Sequence, residues 1–161
     1  MRLILFAKIV ILNVMPDQKK LDLIYLEMAR SWAKMSHAKR KKVGCLVVKE
    51  GQIISDGYNG TPSGFDNTCE QFHPLEDYSS NKTITKPEVL HAESNALMKL
   101  AKSTNSSIGG TIYLTCSPCF DCAKLIIQAG ISRVVYNEMY RENDGIFLLQ
   151  KANITVECIN E

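Results

Sequence analysis

His91-Ala92-Glu93 and, further along, Pro118-Cys119-Phe120-Asp121-Cys122 supply one imidazole and two thiols, with the Glu93 carboxylate beside the imidazole. Imidazole and thiolate are donors that zinc prefers. Three of them leave the fourth tetrahedral position open, which is the catalytic rather than the structural arrangement. A zinc ion so held lowers the pKa of water to roughly 7, so a nucleophile exists at neutral pH. Glu93 lies two residues beyond His91 and is not needed as a ligand. It is placed to take a proton from an attacking water and return it to a leaving group. Two other readings compete. A structural zinc would need a fourth ligand, for which His73, Cys69, Cys45 and Cys116 are candidates. A redox Cys-x-x-Cys pair would leave the spaced His-x-Glu unexplained.

Two helix starts must aim these side chains. A helical pattern begins at His91 and runs to about Lys102; a second runs from Cys119 to about Ala129, where Gly130 stops it. Pro118 stands where a helix begins, a place that costs no hydrogen-bond donor. Cys119 and Cys122, three apart, share one face of the first turn. The positive end of the helix favours thiolate over thiol.

The rest of the chain reads as a frame for these two helices. Leu21, Ile24, Tyr25, Met28, Ala29 and Trp32 recur at helical spacing, giving a helix near 19–36. Gly44 to Val48 and Gln52 to Tyr58 read as a hairpin turned at Gly51. Residues 59–90 are polar and rich in Gly and Pro, a long loop of the kind that usually carries function. Strands follow at 111–115, 133–136 and 154–156, with a helix at 144–151. This order predicts an α/β fold, a three-layer α/β/α sandwich around a mixed five-stranded sheet.

At 161 residues, with 45% apolar and 22% charged residues, the composition is that of an ordinary globular domain. A net charge of +2 gives no argument for nucleic acid. The six cysteines, two at metal spacing and without a complete secretory signal, are expected to be reduced in the cytoplasm. Residues 1–14 form an apolar extension, too short to span a membrane. It is expected to be an added strand or packed segment, with residues 15–161 as a single domain.

His-x-Glu followed by Pro-Cys-x-x-Cys is the signature of the zinc-dependent nucleobase deaminases. With Gly57-Tyr58-Asn59-Gly60-Thr61-Pro62, His91 to Ala96 and Ser117 to Lys124 in this order, the chain resembles the deoxycytidylate (dCMP) deaminases over about residues 20–158. The resemblance implies a cytidine deaminase-like fold and one catalytic zinc, held by His91, Cys119 and Cys122 beside Glu93. It implies conversion of dCMP to dUMP and ammonia for thymidylate synthesis. It also implies a homo-oligomer, often a hexamer, activated by dCTP with Mg²⁺ and inhibited by dTTP. Asn59 would bond the deoxyribose, and the backbone at Ser117 would face the base. Gly57, Tyr58, Asn59 and Gly60 would lie near the regulatory nucleotide. Some phage relatives carry a second zinc, for which Cys69 and His73 are partial candidates.

The residues add an argument for a nucleotide. Lys39-Arg40-Lys41-Lys42 stands between the first helix and the first strand, with Arg40 as the best bidentate phosphate ligand. The same run would also suit the C-terminal dipole of a helix. A tyrosine after the fourth strand lies near the phosphate in similar enzymes. Tyr140 fits that place, whereas Tyr136 also fits the core. The rivals are a tRNA adenosine deaminase, a free-base deaminase and a non-catalytic zinc-stabilised nucleotide-binding module.

Overall fold

In a computed structural model of the protein, residues 17–73 and 82–160 are described. The apolar extension at 1–14 lies outside them. Helix α1 (Gln18–Ala33) begins behind Asp17, whose carboxylate accepts the Lys19 N–H at 3.1 Å. Its buried stripe is Asp22, Leu26, Ala29 and Ala33. The stripe expected from apolar spacing is therefore rotated: Ile24, Met28 and Trp32 stay exposed. A charged residue takes their place because its cation comes from a distant strand, which helical spacing does not reveal.

Strands β1 (Gly44–Lys49) and β2 (Gln52–Tyr58) pair antiparallel. Both turn residues, Glu50 and Gly51, have positive φ, as a tight two-residue hairpin requires. The long polar segment is not all loop, as the sequence suggested. It contains a separate small hairpin, β3 (Glu70–Phe72) with β4 (Thr83–Thr85). Strands of three residues are too short to show a period. Next come α2 (Ala92–Leu100), β5 (Thr111–Cys116), α3 (Phe120–Gln128), β6 (Arg133–Glu138), α4 (Asp144–Lys151) and β7 (Thr155–Cys158).

The main sheet has the order β2-β1-β5-β6-β7. β1 and β5 are antiparallel, while β5, β6 and β7 run parallel through the α3 and α4 crossovers. On one face Leu26 and Ala29 of α1 pack on Leu46, Val48, Tyr113 and Val135. On the other, Ala92, Ala96, Ala123, Ile126, Ile146 and Leu149 from α2, α3 and α4 pack on Cys45, Val47, Ile112, Leu114 and Val134. The result is the expected three-layer sandwich with a mixed five-stranded sheet. No helix among the described residues is long and apolar enough to cross a membrane.

Gly57 sets the distance between β2 and α2. A Cβ there would fall 2.1 Å from the Ala92 carbonyl oxygen and 2.8 Å from the Ala96 nitrogen. Backbone cannot yield as a side chain can, so Gly57→Ala is expected to cost about 1–3 kcal/mol or more. Chemical denaturation would show it; an unchanged midpoint would mean that the two elements separate freely.

Candidate metal centre and substrate cleft

His91 is the N-cap of α2 and Cys119 the N-cap of α3, both with extended backbone angles. Neither side chain caps its own helix. They point at each other instead: the Cys119 and Cys122 sulfurs each lie 3.4 Å from His91 Nδ1. All three ligand atoms fall within 4.8 Å of one another. Pro118, one residue before the cap, is fully buried. The first turn of α4 presses on this loop through Gly145, where a Cβ would stand 2.3 Å from the Pro118 carbonyl oxygen. Gly145 is a supporting position that the sequence reading missed, because a glycine inside a helix carries no signal of what lies against it.

The donor chemistry suits zinc. Hydrogen bonds from Cys122 and His91 hold the Cys119 thiol down to about 4. Its bond to Cys119, with burial, pushes the Cys122 thiol far up. The bond to Cys119 also raises His91 against the effect of burial. Three donors this close share protons around one thiolate, and a dication in that space would release the shared protons. Among the described residues this is the only such cluster. Each proposed fourth ligand is occupied elsewhere or set apart. Cys45 is sealed in the core. Cys116 accepts from Lys41 Nζ at 3.4 Å. Cys69 packs with Ala38 and Val89, and neither it nor His73 joins the cluster.

Glu93 is 4% exposed, on the first turn of α2. Burial raises its carboxyl to about 7. It lines a cleft of about 320 Å³ together with His91 and Cys119. Asn59, Ser117, Arg40 and Tyr140 line the same cleft, so the structure brings these expected residues together. Cys122 lies behind the wall and is buried. Gly57, Tyr58 and Gly60 are not among its lining residues. Gly57 packs against α2, Tyr58 stacks under Lys99 with the ammonium 5.9 Å from the ring centre, and Gly60 bridges to Leu90.

Several of these side chains already hold backbone. Asn59 Oδ1 accepts from Val43 N–H at 2.8 Å, and its Nδ2 donates to the Lys41 carbonyl at 2.9 Å. Ser117 Oγ accepts from Tyr140 N–H at 2.7 Å and so fixes the loop after β6. Tyr136 is core, 4% exposed. The basic run is not at a helix C-terminus, because α1 ends at Ala33. It forms an irregular strap beside the cleft, so the helix-dipole account of its charges fails. Lys41, Arg141, Glu70 and Thr85 also line the cleft. The first two could be suspected from their neighbours in sequence; Glu70 and Thr85 arrive on the small hairpin, which gave no signal.

A family model described as the cytidine and deoxycytidylate deaminase zinc-binding region matches residues 19–138. The deoxycytidylate deaminase of Saccharomyces cerevisiae is 34% identical over 136 residues, 84% of this chain and 43% of its own length. That of Enterobacteria phage T2 is 38% identical, over 63% of this chain and 71% of the relative. The chain thus spans less than half of the yeast relative. The crystal structure of a dCMP deaminase from cyanophage S-TIM5, in complex with dCMP and dUMP, superposes with a TM-score of 0.77 at 43% identity. That match covers 91% of this chain and 99% of the other. Residues 19–138 bear the family's match and hold both halves of the His/Cys/Cys cluster, so this chain belongs to the cytidine and deoxycytidylate deaminase family.

Proposed function

We propose that this protein converts dCMP and water to dUMP and ammonia. The observation that carries the reading is a single cleft that joins the His/Cys/Cys cluster and buried Glu93 to a basic wall of Arg40, Lys41 and Arg141. Such a cleft suits a nucleotide with an amino-bearing ring at one end and a phosphate at the other. His91, Cys119 and Cys122 would hold zinc, which supplies Lewis acidity and acidifies water at neutral pH. Glu93 takes one proton of the attacking water and passes it to the ring nitrogen, then takes the second from the added hydroxyl and gives it to the amine as the C–N bond breaks and the carbonyl forms. Its burial keeps bulk water from competing for these protons. Asn59 faces the sugar, Arg40 and Tyr140 the phosphate, and the Ser117 backbone the base. The dUMP formed would serve thymidylate synthesis in the cytoplasm.

Regulation belongs to the same proposal. Its support is the family membership, together with the Gly57-Tyr58-Asn59-Gly60 block, which lies against α2. dCTP would activate, bringing Mg²⁺ with its phosphates, and dTTP would inhibit, within a homohexamer. Ammonia release should be measured on zinc-loaded protein with dCMP, CMP, deoxycytidine, dCTP and a tRNA stem-loop, each with and without dCTP and Mg²⁺. Turnover of dCMP, raised by dCTP, is the expected result. Turnover of deoxycytidine or the stem-loop without dCMP would reject the substrate; sedimentation with each effector would test the hexamer.

A further inference from the structure

The strap between α1 and β1 carries Arg40 and Lys41 into the cleft wall without secondary structure of its own. A backbone N–H outside a helix or sheet must find its partner elsewhere, and side chains supply several along this strap. Ser36 Oγ takes the Ala38 N–H at 3.1 Å, and Asn59 takes that of Val43. Two of the donors between them, Lys39 and Arg40 N–H, both go to one oxygen, Glu70 Oε1, at 2.8 and 3.2 Å. Glu70 faces Thr85 across the small hairpin. Thr85 Oγ1 accepts from Arg40 Nη1 at 3.4 Å. One rung of the hairpin thus grips Arg40 by its main chain and touches its guanidinium. A small contact among Ala38, Cys69 and Val89 seats strap and hairpin together.

We infer that Glu70 is a positioning residue for phosphate recognition: it fixes the Lys39–Arg40 backbone so that the strap presents its cations to the 5′-phosphate of the substrate. The inference rests on the nucleotide reading of the cleft. A carboxylate in a wall that meets phosphate would repel it if left bare. Here the oxygen facing the strap accepts from two N–H groups, whose dipoles offset part of its field toward the cleft. Holding the strap in one conformation before binding removes an ordering cost that phosphate contacts would otherwise have to offset.

Affinity for the product dUMP and for its phosphate-free counterpart deoxyuridine isolates the phosphate from the chemistry. Calorimetry on zinc-loaded protein would compare wild type, Glu70→Ala and Glu70→Gln. Wild type is expected to bind dUMP far more tightly. Glu70→Ala is expected to lose about tenfold of that preference with deoxyuridine binding unchanged, the size of a lost charge-assisted contact. Glu70→Gln should stay close to wild type, because one amide oxygen can still accept both N–H groups. In turnover, Glu70→Ala should raise KM for dCMP with kcat unchanged. Equal loss for both ligands, or failure of Glu70→Ala to fold, would overturn the inference in favour of a structural role. A preference retained in Glu70→Ala, or tightened in Glu70→Gln, would overturn it as well, as would wild type binding both ligands alike. Failure of the deaminase reading is separate: it would be seen as no ammonia from dCMP, whatever the dUMP preference.

Discussion

Glu93→Gln is expected to lower kcat for dCMP by about 10²–10⁴-fold, the usual worth of a positioned proton carrier. The substitution keeps size and shape and removes only the ability to take and return a proton. Glu93 is 4% exposed, so no bulk water stands ready to replace it. It is not part of the His/Cys/Cys cluster, so zinc content should remain near one per chain. KM should move little, because the residues proposed to meet the phosphate, Arg40 and Tyr140, are untouched by the substitution. An interaction used only on the way to the transition state lowers kcat and kcat/KM together. Steady-state kinetics, with metal analysis on the same samples, gives the check. Retained turnover with full zinc would remove Glu93 from the mechanism. Lost zinc would make it a ligand or a support for one.

What could be read in the sequence and what could not divide along a physical line. His91, Glu93, Cys119 and Cys122 were legible because each pair is local: one turn of helix fixes His91 against Glu93, and another fixes Cys119 against Cys122. The placing of a ligand residue at the start of each helix followed from the same local pattern. The mixed five-stranded sheet was legible from the alternation of elements. The strap was misplaced because where a helix ends depends on packing: α1 stops at Ala33. With it went the meaning of Arg40, which now belongs to a cleft wall and not to a helix end. Glu70 and Thr85 were invisible because three-residue strands have no period and their partners on the strap are 30 or more residues away. Asp22 was the hardest case. It sits where an apolar residue would be expected, and the cation that permits this lies 111 residues on.

That pairing gives the largest stability effect expected. Arg133 grips Asp22 with two bonds of 2.8 Å and reaches Glu157 with two of 2.9 Å. Tyr113 donates to the same Asp22 carboxylate at 2.7 Å and Gln18 at 2.9 Å. The Asp22 side chain is 3% exposed and that of Arg133 18%, so water screens the pair poorly. Burial alone would raise the Asp22 carboxyl, but bonds from Arg133, Tyr113 and Gln18 outweigh it and hold the group below its ordinary 3.8. Arg133 likewise holds Glu157 below 4.5. Depressed carboxyls stabilise the fold above their unfolded values. The wild type should therefore lose stability only as pH falls below about 4, through the folded values. Arg133→Met leaves a buried carboxylate without its cation and should cost about 3–5 kcal/mol at pH 7. In that variant only the bonds from Tyr113 and Gln18 still oppose burial, so the Asp22 carboxyl rises from its wild-type position. The deficit should then shrink as acid protonates it, so urea unfolding should show a smaller gap at pH 4.5 than at pH 7. Asp22→Asn with Arg133→Met should recover most of the loss, since the amide oxygen can still accept from Tyr113 and no charge remains to bury. A double variant no better than the single would mean that the arginine acts through packing of its stem, and the pH dependence would vanish with it.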